Sequence, residues 1–140
     1  MILFIDDEDE MDSFKLGLEL SEYQYQVTLK TNIDEAWEYL VHSEVQIILV
    51  IMDIMMPPGI LLKDEDTKGG LRTGLALFKK IRERNPYLPV IVFSNVSEER
   101  VISYFTQQPL CLFLRKEDEL AFSLPEKVKS LLKKSPTEVL

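Results

Sequence analysis

The chain has 140 residues, 16 of them basic and 24 acidic, for a net charge of −8 at pH 7. Its 46% apolar and 29% charged content suits one globular domain and excludes a disordered polypeptide. One cysteine, Cys111, and one histidine, His42, exclude a disulfide scaffold, a cysteine-based zinc site, and any Ser-His-Asp or Cys-His hydrolase not built on His42.

Residues 2–5 form an unbroken apolar run, the pattern of a strand buried on both faces. Met11, Phe14 and Leu18 recur at spacings of three and four and predict a first helix. In residues 25–29, Tyr25, Val27 and Leu29 alternate with Gln26 and Thr28, which suits a strand nearer an edge. Asn32 followed by Glu35 has the form of a capping box. It opens a second helix carrying Ile33, Ala36, Trp37, Leu40 and Val41. Residues 45–52 predict a third strand, and this longest apolar stretch is too short to span a bilayer.

Residues 57–70 break the rhythm, with turn residues at both ends and charges in the middle. Leu71, Leu75, Phe78 and Ile81 or Arg82 then mark a third helix, stopped by Asn85-Pro86. Residues 89–93 predict a fourth strand. Ser97 is the expected N-cap of a fourth helix bearing Val101, Ile102 and Phe105. Residues 111–114 predict a fifth strand. Val128, Leu131 and Leu132 mark a fifth helix, entered near Ser123 with Pro125 in its first turn. Residues 135–140 read as a frayed tail, and residues 1–140 as one domain. Alternating strands and helices predict an α/β domain with a parallel sheet and helices on both faces. The N-terminus has no basic segment and turns acidic at once, unlike a signal peptide, so the expected location is the cytoplasm.

In an open parallel sheet, ligands bind beyond the carboxyl ends of the strands. The first run is closed by Asp6 and Asp7, with Glu8, Asp9 and Glu10 behind. The third is closed by Asp53, the fourth by Ser94 and Asn95, and the fifth by Arg115 and Lys116. Asp6, Asp7 and Asp53 would repel one another, and stay ionised at neutral pH if a divalent cation joins them. Mg²⁺ suits such a set, since it takes hard oxygen ligands. Lys116 adds a mobile positive charge and Ser94 a hydroxyl donor. Together they suit phosphoryl transfer to a carboxylate, where charge spread over the oxygens must be neutralised from several sides.

These residues resemble the receiver domain of two-component response regulators, over nearly the whole chain. The motifs are Asp6-Asp7, Asp53-Ile-Met-Met-Pro57, Pro89-Val-Ile-Val-Phe-Ser94 and Phe113-Leu-Arg-Lys116, in order at the ends of the right strands. The resemblance implies a flavodoxin-like, doubly wound five-stranded parallel sheet of order 2-1-3-4-5 with helices on both faces. It implies Asp53 as phosphoacceptor, Asp7 as the direct Mg²⁺ ligand, Asp6 as an acid acting through water, and the backbone carbonyl of Met55 as the third protein ligand. Lys116 would pair with the phosphoryl oxygens, Ser94 would bond the phosphoryl group, and Phe113 would turn inward as the aromatic switch.

The implied protein is a stand-alone signalling receiver, not an enzyme beyond its own phosphorylation and slow dephosphorylation. Its implied partners are a histidine kinase or phosphotransfer protein and a downstream protein target, with neither nucleic acid nor membrane. Its output surface would be the face of the fourth helix, fifth strand and fifth helix, on a monomer or weak homodimer.

The chain departs from the family pattern in three places. Glu117 stands where Pro usually follows the lysine. A cis bond there would cost about 2.5–4 kcal/mol, so the turn is expected to differ. Thr73-Gly74 stands for the usual Asp-Gly and comes late, which makes residues 58–72 largely an insertion. Met55 and Val96 are apolar at positions that tune dephosphorylation, which implies a long-lived phosphoryl group.

Other readings compete. An interaction module with this fold but no phosphorylation is the alternative, against which the intact acids and lysine argue. An aspartyl-nucleophile hydrolase would carry an Asp where Met55 stands, and no Gly-rich loop follows the first strand to suggest a nucleotide enzyme. His42 is expected at the surface, Trp37 in the core, and Cys111 as a small hydrophobe. Phe113 alone reads as core. The charges of residues 63–68 read as a solvated loop, with a cover over the site as the sharper possibility.

Overall fold

The structure is a computed structural model that describes residues 1–135. Its elements run β1 (Ile2–Ile5), α1 (Met11–Leu20), β2 (Val27–Lys30), α2 (Ile33–His42), β3 (Leu49–Met52) and α3 (Thr73–Arg84). They continue with β4 (Val90–Ser94), α4 (Glu99–Thr106), β5 (Cys111–Arg115), a 3-10 turn (Lys116–Asp118) and α5 (Leu124–Leu132). The five strands form one parallel sheet in the order β2-β1-β3-β4-β5. The expected fold class and strand order are both present.

The unbroken apolar runs follow from burial on both faces. Leu3, Ile5, Val50, Met52, Val90 and Val92 pack against Ile33, Ala36, Leu77, Phe78, Ile81, Val101 and Phe105 of α2, α3 and α4. Ile2, Phe4, Leu49, Ile51, Ile91 and Phe93 pack on the other face against Met11 and Leu18 of α1 and Leu124, Val128 and Leu131 of α5. Each fully buried Val, Leu, Ile, Phe or Met among them contributes about 1.5–3 kcal/mol. Trp37 and Phe113 are half-buried against the first of these clusters. Among the described residues no helix is long and apolar enough to cross a membrane.

The boundaries differ from expectation in five places. β2 begins at Val27 and β3 at Leu49, so Tyr25 and residues 45–48 lie outside the strands. Leu71 is not on α3 but exposed before it. Lys68, Gly69 and Gly70 all have positive φ, and a right-handed helix cannot begin through such a turn. Ser97 does not cap α4. Glu98 takes that position without a side-chain cap, its carboxylate being held by Arg72. Ser135 is buried, and its amide donates to the Leu132 carbonyl. The remaining residues of the expected frayed tail, 136–140, lie outside the described residues. Asn32 does cap α2, accepting the Glu35 amide at 2.9 Å.

The long connection from β3 to α3 is anchored from within. Leu62 is fully buried in the core and Thr67 is nearly so. The Asp34 carboxylate accepts the amides of Ile60 and Leu61 at 2.9 and 2.8 Å. Residues 63–66 and 68 are exposed, as a solvated loop would be.

Arg82 staples the opposite end of the sheet. Its guanidinium donates to the carbonyls of Leu88, Pro109 and Leu110 at 2.5, 3.1 and 3.0 Å. Ile81, not Arg82, is the residue that enters the core. Cys111 lies near Arg82, half-buried, with its thiol pushed up to about 12 by burial, against a smaller downward pull from Arg82. A solvated cysteine ionises near about 8.5. Between those values the unfolded chain releases the proton and the folded chain keeps it, so stability falls as pH rises through that window. We predict that the urea midpoint drops between about pH 8 and about pH 10, and drops less in Cys111→Ala. Identical slopes in the two proteins would show that the thiol ionises freely in the fold.

Candidate functional site

The parallel register builds the site. Ile5 pairs with Met52, so Asp6 and Asp53 leave neighbouring strands side by side at the carboxyl end of the sheet. The Asp53 amide still donates to the Ile5 carbonyl at 3.1 Å, which holds the residue in the ladder. Ser94 pairs with Arg115, so Lys116 emerges at the same end.

Three of these groups are buried and in contact. The Lys116 ammonium lies 2.8 Å from Asp6 Oδ2, 3.0 Å from Asp53 Oδ2 and 3.1 Å from Glu8 Oε1. The side chains of Lys116, Asp6 and Asp53 are 5%, 0% and 2% exposed, against 47% for Glu8. Burying an ion costs several kcal/mol unless partners replace its water. Here each aspartate also has a backbone partner. Asp6 Oδ1 accepts the Glu8 amide at 3.0 Å, and Asp53 Oδ1 accepts the Ile54 amide at 2.7 Å.

The cluster remains short of positive charge. Asp6 is raised to about 6, chiefly by burial and further by Asp53, although Lys116 and the Glu8 amide pull the other way. Burial alone would lower Lys116, but its contacts with Asp6 and Asp53 outweigh burial and hold the ammonium above its ordinary value. Asp7 is exposed beside the pair. Asp6, Asp7 and Asp53 each offer an oxygen, all within 4.8 Å of one another. A surplus of hard anionic oxygens converging on one point fits a divalent cation such as Mg²⁺. The Met55 carbonyl accepts no hydrogen bond among the described residues, which leaves it available as a further oxygen ligand.

The other predicted residues are placed less directly. Ser94 is fully buried at the end of β4, its hydroxyl oxygen 3.4 Å from the Val96 amide. Phe113 lies in the middle of β5, opposite Val92. His42 is exposed at the end of α2, 3.4 Å from Glu38 and apart from the acids. The turn after Lys116 is a 3-10 turn, with the Glu117 amide donating to Asn95 Oδ1 at 3.1 Å. That bond sets the direction of the chain where Glu117 replaces the expected proline.

Two features went unread in the sequence. Glu8 is one of five consecutive acids, and nothing in that run distinguishes the one that reaches Lys116. Thr73 and Gly74 lock α3 onto the chain that follows Asp53. The Thr73 hydroxyl donates to the Met56 carbonyl, and the Gly74 amide to the Ile54 carbonyl at 2.8 Å. A Cβ on Gly74 would lie 2.6 Å from the Asp53 carbonyl oxygen and from Ile54 Cα.

The family model described as the response regulator receiver domain matches residues 2–121. The chain belongs to the response regulator receiver family. Among solved structures, a CheY-like receiver domain protein from Methanospirillum hungatei is 20% identical, with a TM-score of 0.74 over 98% of this chain and 96% of that one. The receiver domain of NtrX from Brucella abortus is 23% identical, with a TM-score of 0.71 over 96% of this chain and 100% of that one. An orphan response regulator of H. pylori is 15% identical, with a TM-score of 0.69 over 94% of both chains. At these identities the likeness is one of fold. No curated protein matches the chain by sequence. As a receiver, the chain is a signalling domain of two-component systems rather than a classical enzyme, and its family binds Mg²⁺ at an acidic pocket and meets kinases and downstream targets.

The receiver's contact at Gly74 carries a prediction. Gly74→Ala forces a methyl into backbone that cannot yield cheaply, and should cost about 1–3 kcal/mol. Urea denaturation measures it, and an unchanged midpoint would show that α3 can back away from Asp53.

Proposed function

We propose that this receiver is a Mg²⁺-dependent phosphoacceptor, taking a phosphoryl group on Asp53 from a histidine kinase or phosphotransfer protein. The single observation that carries the reading is the buried Lys116 ammonium held against both Asp53 and Asp6. Asp6, Asp7, Asp53 and the Met55 carbonyl would hold the cation. When bound, Mg²⁺ supplies positive charge for the phosphoryl oxygens and for the carboxylates themselves.

The protein's own groups do the rest. Asp53 Oδ1 is tied to the Ile54 amide, while Oδ2 faces Lys116, which leaves Oδ2 as the attacking oxygen. A new P–O bond forms there as the bond between phosphorus and the donor imidazole nitrogen breaks. The electron pair of the broken bond stays on that nitrogen. Lys116 then turns its ammonium to the phosphoryl oxygens, where charge-assisted hydrogen bonds are strong. Of its three carboxylates, half-exposed Glu8 is the one it leaves at least cost, since water replaces the contact. Ser94 donates its hydroxyl to the phosphoryl group, Phe113 turns inward, and the α4–β5–α5 face changes its affinity for a protein target.

The test is intact-mass analysis after incubation with Mg²⁺ and a small-molecule phosphodonor. Wild type should gain one phosphoryl group, and Asp53→Asn or wild type with chelator should gain none. No adduct on folded wild type would overturn the reading in favour of a phosphorylation-independent module. The adduct should also be long-lived. The side chains of Met55 and Val96, the latter buried, carry no group that would orient an attacking water. A half-life of only seconds would refute that part.

A further inference from the structure

In a chain with net charge −8, a groove lined by three cations and by no carboxylate stands out. That groove lies between α3 and α4. It encloses about 210 Å³, and its lining is Arg72, Leu75, Lys79, Arg100, Val101 and Tyr104. All three charged residues are cations. Lys79 and Arg100 are exposed, and neither is ion-paired among the described residues. Lys79 Nζ lies 5.9 Å from the centre of the Tyr104 ring. That ring is held by edge contacts with Phe78 and Phe105 at 6.2 and 5.4 Å. The Tyr104 hydroxyl has no hydrogen-bond partner among the described residues. A fixed aromatic face flanked by unpaired cations binds an apolar side chain and anions at the same time.

The third cation is engaged. Arg72 Nε donates to Glu98 Oε2 at 3.2 Å, and its Nη2 pairs with Glu98 Oε1. This pair joins the residue before α3 to the residue before α4, and Glu98 lies on the connection that leaves Ser94. We infer that the α3–α4 groove docks an acidic peptide segment of a partner protein, with one aliphatic or aromatic anchor. The anchor rests on Leu75, Val101 and the Tyr104 ring. The carboxylates meet Lys79 and Arg100, and one competes with Glu98 for Arg72. Docking thereby loosens the tie between the two connections that flank the acceptor site. The overall acidity of the chain disfavours a nucleic acid as occupant, because the phosphate backbone would be repelled everywhere else. The surface differs from the α4–β5–α5 face, and the inference does not depend on phosphorylation.

The test is fluorescence anisotropy with the unphosphorylated full chain. The probe is a short labelled peptide of Glu and Asp carrying one Leu and one Phe. Two control peptides replace the acids by Lys, or the Leu and Phe by Ser. The acidic anchored peptide should bind and both controls should not. Lys79→Glu and Arg100→Glu should each weaken binding by about tenfold or more. Both side chains are exposed, so unchanged circular dichroism and urea midpoints will show that the variants fold. Four results would each overturn the inference. They are no binding of the probe, equal binding by the anchorless peptide, tighter binding of a single-stranded oligonucleotide, or undiminished affinity in both variants.

Discussion

Everything at the carboxyl end of this sheet is arranged around one buried ammonium. Lys116 is 5% exposed and meets Asp6, Asp53 and Glu8 within 3.1 Å. Two nearly inaccessible carboxylates are tolerable in the interior because that cation and a backbone amide serve each of them. One lysine still faces three carboxylates, and Asp6 is raised chiefly by its burial and further by the neighbouring Asp53. A stable fold and an unsatisfied demand for positive charge are thus produced by the same contact. Converging anionic oxygens short of positive charge are the kind of set that a divalent cation fits.

The precision of that contact comes from backbone rather than from side chains. Asp53 is still a rung of the ladder, bonded through its amide to Ile5. The following residues are pinned from the far side by Thr73 and Gly74 at the start of α3, where the missing Cβ lets two backbones touch. Lys116 opens the 3-10 turn, whose Glu117 amide is held by Asn95. The long β3–α3 connection does not loosen this frame, because Leu62 is sunk into the core and Asp34 caps two of its amides.

The same frame ties the site to the surface of α3 and α4. Arg72 ends the long connection and Glu98 ends the one that leaves Ser94, and their ion pair bridges the two. Such a pair is partly solvated and contributes little to stability by itself. Its weight lies in what it couples, since either end can be claimed by another charge. A groove of cations beside it gives an acidic partner a reason to make that claim.

Much of this was legible in the residues alone. Four apolar runs and one alternating segment named the strands, because a strand covered on both faces is apolar along its length and an edge strand is not, and the residues closing the four runs named the site. Ile2–Ile5 and Asp6 are the clearest case, since the change from apolar to acidic is abrupt there. Other features depend on distances through space. Glu8 is one acid among five in the sequence, and only the folded chain brings its side chain to Lys116 while its amide bonds Asp6. Leu71 had helical spacing, but three residues of positive φ kept it off α3. Ser97 is a chemically sound cap, but α4 begins one residue later, with Glu98 at the cap position and its carboxylate on Arg72 of another element. Local chemistry determined which residues could form strands, helices and an acidic site. The tertiary structure decided which charge meets which, because an ion pair between residues 63 positions apart, such as Lys116 and Asp53, exists only once the sheet has closed the distance.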